Sequence, residues 1–370
     1  MPIGSVPHDD PDAPNIRMNP FAVIVIMLTF LAFMFIMFSI SYTFGHVIPT
    51  LCMIESPAAK AYMPVQARDG DAPPPYTGDD EDQTTDPELL LVQNQPLTSS
   101  IRATLKHLRE KGGFWSRFRG LSVFLVWTFT RSLITNIVAS PFTMSPGTYP
   151  YAFAFAAVVA ETMLARLHLT WVHIVISDPS PKPWYKRVPP WRTWKRIAPS
   201  VFLLAVCTQL TFTLPLLLTG TFGSFKRLRS DPNYEPGTGD LYISGSQAFF
   251  AYLVFLFLFV ACTIPALVTM VRVAASMLPE EDETIVEFDR SFQGRTTPEI
   301  LGGQGKIGIK EAWKSFPRAS RVRLLKLMAK VAGISVLAWA AFVVVMVVET
   351  RVLLGDSVGQ FMRAIHGGGR

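Results

Sequence analysis

Cysteine is scarce in this chain of 370 residues: Cys52, Cys207 and Cys262 are the only three, all in or beside apolar stretches. None forms a Cys-x-x-Cys pair or sits in a Cys/His cluster, which argues against a disulfide framework, a zinc site and a thiol nucleophile. The six histidines, His8, His46, His107, His168, His173 and His366, are equally scattered. A Gly-rich phosphate loop, a nucleophile triad and a pair of catalytic carboxylates are all missing, so neither an enzymatic activity nor a cofactor is expected. No Asn-x-Ser/Thr glycosylation acceptor occurs either.

Charge is missing from long tracts as well, and this absence carries the most information. Six stretches, about Phe21–Thr43, Leu121–Ala139, Tyr151–Ile176, Val201–Thr219, Ala248–Val271 and Val331–Val348, are almost wholly apolar. A membrane span needs ~20 predominantly apolar residues, because only a continuous helix satisfies its own backbone across a ~30 Å hydrocarbon layer. All six qualify, and a soluble fold with six such runs would have too little polar surface. No cleavable signal is expected: the head Met1–Asn19 has three Asp against one Arg, and the first apolar run is too long for a signal core.

What is present complements what is missing. Of 34 Lys and Arg, 8 lie in residues 46–120, 6 in 178–198 and 11 in 272–330. The intervening gaps hold few: none in 141–150 and 3 in 221–246. This alternation predicts an all-α bundle of six transmembrane helices, with loops 46–120, 178–198 and 272–330 on one face and both termini on the other. The net charge of +6 therefore resides beside the membrane, and anionic lipid head groups suit it better than nucleic acid does.

The spans group as three pairs, each enclosing one basic gap. The chain divides accordingly into a polar head 1–20, repeat one at 21–140, repeat two at 141–220, a connecting loop 221–247, repeat three at 248–354 and a tail 355–370. First spans of successive pairs begin near 21, 151 and 248, and the longer first interval is accounted for by residues 64–95. That acidic, proline-containing segment, PVQARDGDAPPPYTGDDEDQTTDPELLLVQNQ, reads as a disordered insertion. Each basic gap also carries a short amphipathic helical signal just before the even-numbered span. These are Ile101, Leu105 and Leu108 on one face; Trp191, Trp194 and Ile197; and Ile309, Ala312, Trp313 and Phe316. Such helices suit either the lipid head-group layer or the ends of the bundle.

A threefold repeat of span, polar gap with amphipathic helix, and span resembles the mitochondrial carrier family. Gly113-Phe-Trp-Ser-Arg-Phe-Arg-Gly120 is similar to that family's G-x-x-G-aromatic-basic-G element without its second Gly. Pro265-Ala-Leu-Val-Thr-Met-Val-Arg272 keeps the Pro and final basic residue of the P-x-[DE]-x-x-[KR]-x-[KR] signature without the two charges between. The resemblance implies a solute carrier in the mitochondrial inner membrane; the missing charges are those the family uses as a gate. Four segments also resemble a group of filamentous-fungal multi-span proteins often labelled ubiquitin carrier protein: Ser100–Arg109, Asp178–Trp184, Ala275–Glu283 with Phe288–Phe292, and Arg321–Lys326. Ubiquitin conjugation would need a solvent-reachable Cys in a soluble α/β domain, which this chain lacks. An endomembrane or the plasma membrane is equally compatible with the topology, the basic loops then facing the cytosol rather than a matrix.

Five ionisable residues lie inside apolar stretches: Arg131 in the second and Glu161, Arg166, His168 and His173 in the third. A charge near the bilayer centre costs at least ~2.5 kcal/mol, so such groups usually face the bundle interior and pair. Arg131 lies 9 residues before Ser140 and Glu161 lies 10 after Tyr151. At ~1.5 Å per residue they reach the same depth in adjacent antiparallel helices, which predicts an ion pair. His168, two turns on from Glu161, extends the same face. The group is a candidate substrate or proton site, or a pair that orients two helices; Arg166 and His173 are expected to snorkel toward the basic face.

Pro73-Pro74-Pro75-Tyr76 is a P-P-x-Y sequence of the kind that docks as a polyproline helix into a WW domain, such as that of a ubiquitin ligase, if the loop faces the cytosol. The acidic run Glu280–Glu283 has no EF-hand spacing and reads as a solvated loop that Arg290 and Arg295 can neutralise. Pro215 and Pro265, inside spans four and five, favour kinks. Two functions fit these features: a secondary transporter of a small solute, or a membrane adaptor that recruits partners through loop 46–120.

Overall fold

The computed structural model describes residues 20–56, 61–62, 91–92, 96–143, 148–221, 237–292, 294–296 and 305–354. The chain is all-α: among the described residues five helical stretches are long and apolar enough to cross a membrane, and a bent pair of helices makes a sixth when counted as one span. By contacts it divides into two units, Met1–His46 with Lys326–Arg370, and Val47–Leu325.

The first span starts as α1 (Pro20–Ile40), passes through a π-helical turn (Ser41–Val47) and ends as α2 (Ile48–Ile54). After α3 (Ile101–Gly112) and a 3₁₀ turn (Phe114–Phe118), the second span is α4 (Leu121–Ala139). The third is α5 (Tyr149–Met163) and α6 (Ala165–Ile176), bent by 60° at Leu164. The fourth is α7 (Trp194–Thr221), and the fifth is α8 (Thr238–Leu258), a π turn (Phe259–Thr263) and α9 (Ile264–Ser276). A short α10 (Ile309–Lys314) precedes the sixth span, α11 (Arg318–Leu354).

Every odd-numbered span is thus interrupted and every even-numbered span is a continuous α-helix. In the first and fifth the cause is local: each π turn is followed by Ile-Pro, Ile48-Pro49 and Ile264-Pro265. A proline in a helix lacks its N–H and crowds the carbonyl four residues back, so the preceding turn widens. The third span has neither Pro nor Gly at its break. There the indole Nε1 of Trp194 donates to the Thr162 carbonyl at 2.9 Å. Leu164 leaves the helical region (ψ 11°) while its own carbonyl takes the N–H groups of both Leu167 and His168. A side chain inserted into the hydrogen-bond ladder accounts for the bend.

Pro215, by contrast, lies within the unbroken α7. The second amphipathic helix expected from Trp191, Trp194 and Ile197 is not a separate element either. Trp191–Thr193 forms one 3₁₀ turn that runs directly into α7, because the gap of 178–198 leaves room for nothing longer. The expected insertion 64–95 and the Pro73–Tyr76 peptide lie outside the described residues, except Leu91–Val92, which pairs antiparallel with Ala61–Tyr62.

Within Val47–Leu325 the densest packing is at the basic ends of the spans. Helix α9 is buried nearly all round, from Val268 to Ala275, and packs on α2, α6, α7 and α10. Helix α2 is buried along its whole length, and α6 buries Leu169, Val172, Val175 and Ile176. An apolar helix without a polar face requires this enclosure. Gly120 starts α4 with φ +70°, and a Cβ there would meet the Trp171 ring at 3.1 Å, so the second span enters against α6 with no side chain between. Within the other unit, α1 meets α11 through the stacked rings of Phe33 and Phe342, 3.8 Å apart, and through Thr29 Oγ1, which donates to Glu349 Oε1 at 2.6 Å.

Candidate functional site

The last turn of α5 presents Glu161, buried at 9% exposure, toward α4 and α6. Arg131, from the middle of α4, places Nε 3.6 Å from Glu161 Oε2. His168, on α6 and 4% exposed, places Nδ1 3.1 Å from Oε1. The antiparallel packing of α4 on α5 aligns the depths of Arg131 and Glu161, and the break at Leu164 swings α6 so that a residue seven positions on still reaches the same carboxylate. The structure therefore brings Arg131, Glu161 and His168 together.

Trp127, Arg131 and Thr135 recur every four residues on one face of α4. The Trp127 ring lies 4.3 Å from the His168 imidazole, closing the site toward the basic side. Both Trp127 Nε1 and Thr135 Oγ1 are buried without a hydrogen-bond partner among the described residues. Buried polar groups are nearly always satisfied, so these two unsatisfied atoms flanking the cluster set it apart from the rest of α4. Chemically, Glu161 is held between the Arg131 guanidinium and the His168 imidazole, the pairing that a carboxylate inside an apolar span requires.

His173 does not snorkel, whereas Arg166 does extend toward the basic 178–198 segment. His173 is 5% exposed and directs Nε2 at the Ala274 carbonyl of α9, at 2.8 Å, since α6 and α9 bury each other at this level. Arg166 donates Nε to the Pro189 carbonyl at 2.9 Å and lies over the Trp191 ring at 5.2 Å, so it ties the 178–198 segment down to α6. The acidic loop is exposed at Glu280, Glu281 and Glu283, as expected, with Asp282 held more closely. Asp282 pairs with Arg187 at 3.2 Å, and Arg290 donates to the carbonyls of Pro279 and Asp282.

Two further charged centres escaped sequence reasoning. Glu55, at the end of α2, accepts from the backbone N–H and hydroxyl of Thr98 and lies 3.5 Å from Arg323 on α11. Arg272, near the end of α9, donates to the Met53 carbonyl at 2.9 Å and to the Ser315 hydroxyl and carbonyl, between the rings of Phe292 and Phe316. The signal for Arg272 was visible as a basic residue at the inner end of an apolar run. Its partners lie 219 and 43 residues away in sequence, beyond any local pattern.

The cavities near these centres differ in character. An apolar groove of about 610 Å³ lies between α5 and α7, lined by Phe155, Val159, Phe202 and Leu210. Polar cavities of about 180, 750 and 890 Å³ lie at the basic ends of the spans. None of these four includes Arg131, Glu161 or His168. The group could hold no multidentate metal site of three His, Cys, Asp or Glu side chains among the described residues. No protein-family model matches this chain, and no curated protein matches it.

Proposed function

We propose that this multi-pass membrane protein is a secondary transporter of a small solute, with Arg131, Glu161 and His168 as its intramembrane binding site. The observation that carries this reading is the position of the cluster. It sits at the break of an interrupted span, with two buried polar groups beside it unpartnered among the described residues. Interrupted helices with binding groups at the break are a common construction in transporters, where the break supplies polar groups and a hinge. The threefold arrangement resembling mitochondrial carriers supports the same reading, since the interruptions fall in the odd span of each pair.

Thiol accessibility tests it. In a variant with Cys52, Cys207 and Cys262 replaced, Thr135→Cys should react with a membrane-impermeant methanethiosulfonate reagent added to either face, as alternating access requires. Absence of reaction from both faces, with an exposed Ser99→Cys control reacting from one, would sink the transporter reading.

One observation favours a second reading, a non-transporting adaptor: the four cavities above leave the cluster outside them. In that case Arg131–Glu161 orients α4 against α5, and recruitment runs through loop 46–120, with Pro73, Pro74, Pro75 and Tyr76 taken by a WW domain. Tyr76→Ala should then abolish capture of the protein from detergent-solubilised membranes by an immobilised WW domain; undiminished capture would remove this support.

A further inference from the structure

The cavity of about 890 Å³ at the basic ends of the spans is built from two segments that the function above does not use. The 178–198 segment contributes Lys182, Lys186 and Arg187, and the chain after α9 contributes Glu280, Glu281 and Asp282. Arg187 and Asp282 are committed to each other at 3.2 Å, with Arg187 also donating to the Ser177 hydroxyl, so this pair holds the two segments together. Lys182 and Lys186 are different. Both are exposed, and neither ammonium has a partner among the described residues; the carboxylates of Glu280 and Glu281 are likewise outside any ion pair there.

The depth of the cavity follows from its neighbours. Tyr185 and Trp191, 61% and 66% exposed, flank the lysines on the same segment, and Trp191 stacks on Trp194 at 6.0 Å. Exposed Trp and Tyr at the ends of spans mark the head-group layer, so the mouth of the cavity opens there. Two uncommitted ammonium groups in a cavity at that level are point-charge donors of the kind that hold phosphate. Two uncommitted carboxylates in the same cavity would repel a bare phosphate or sulfate. A ligand that uses both must carry hydrogen-bond donors, hydroxyl or ammonium, close to its phosphate.

We propose that this cavity binds a phosphorylated head group, its phosphate on Lys182 and Lys186 and its hydroxyl or ammonium donors on Glu280 and Glu281. The inference rests on the basic cavity alone and holds whether or not the bundle transports. The same chemistry is offered by a phosphoinositide in the membrane and by a soluble inositol phosphate.

The test uses the full chain, purified in detergent and returned to phosphatidylcholine nanodiscs. Retention of phosphatidylinositol 4-phosphate is measured by native mass spectrometry, and binding of free inositol 1,4,5-trisphosphate by calorimetry. Lys182→Gln with Lys186→Gln should lower retention of the lipid about tenfold or more, whereas Lys310→Gln with Lys314→Gln, an equal charge change at exposed positions of α10 outside the cavity, should leave it unchanged. Equal loss in both pairs would reduce the effect to unspecific surface attraction and overturn the site, as would retention that neither pair alters. Tight binding of the soluble phosphate, abolished by the first pair only, would assign the cavity to a soluble ligand; binding of the lipid alone assigns it to the membrane. Glu280→Gln with Glu281→Gln should weaken the phosphoinositide but not phosphatidic acid, and tighter binding of both would overturn the role given to the carboxylates.

Discussion

At the residue scale, the interior of this bundle is organised around a few charges whose partners differ in kind. Glu161 has two ionisable partners, and the Arg131 side chain is 35% exposed against 12% for Glu161, so the pair is only partly enclosed. Removing the arginine leaves a buried carboxylate with only His168, whereas removing both leaves no buried carboxylate, only the His168 Nδ1 without its partner. Arg131→Leu is therefore expected to destabilise the protein by about 2–3 kcal/mol, less than the 3–5 typical of a fully buried pair. The double variant Arg131→Leu/Glu161→Leu should recover part of that loss, the remainder being the cost of the orphaned His168 nitrogen. Thermal unfolding in detergent measures both, and a double variant no more stable than the single would show that the pair is not the source of the effect. Arg272 is a contrasting case, because its hydrogen-bond partners are a serine and backbone carbonyls rather than an acid. Its fork of donors reaches α2 and the end of α10 at once, which a single ammonium cannot do. Arg272→Lys should cost about 2–3 kcal/mol in the same assay despite preserving the charge.

At the element scale, the interrupted odd spans and straight even spans have two separate origins. Two interruptions follow from an Ile-Pro step, and these are written locally. The third depends on Trp194, contributed by a helix 32 residues away in sequence from the carbonyl it takes. Trp194→Phe keeps the ring and deletes the donor. It should cost about 1 kcal/mol and speed amide hydrogen exchange at Leu164–Leu167. Unchanged exchange there would mean that the bend is held by packing alone. The start of the second span is equally specific: Gly120→Ala puts a methyl in the left-handed region and 3.1 Å from the Trp171 ring. A loss of about 1–3 kcal/mol is expected, read as a lowered unfolding midpoint.

At the scale of the whole molecule, the burial of α2 and α9 and the polar cavities coincide within Val47–Leu325, the unit that also holds most of the Lys and Arg residues. Tyr242 on α8 is 81% exposed in that unit, and within the other unit Phe21 on α1 and Val352 on α11 are 64% and 74% exposed. The expectation is a protein anchored by lipid-facing walls and assembled at its basic face. Protease added to the basic side of sealed vesicles should cut within residues 64–95, and protease on the other side should spare them; the reverse pattern would invert the topology.

The six spans and the depth match of Arg131 with Glu161 were legible in the chain because both depend only on apolar length and on the fixed rise of a helix. His168 was legible for the same reason, as a residue two turns along one face. The inward turn of His173 was not, since nothing in its own helix distinguishes a ring that snorkels from one bonded to a carbonyl 101 residues away. The same holds for the separate second interfacial helix, where a helical pattern was present but became the start of α7. What the sequence by itself determined is therefore which stretches form helices long and apolar enough to cross a membrane, which gaps between them carry the basic residues, and which ionisable groups fall within the apolar stretches. Only the tertiary structure decided which of them meet, because hydrogen bonds such as Arg272 to Met53 and Trp194 to Thr162 join groups remote in sequence, through directions that apolar periodicity does not encode.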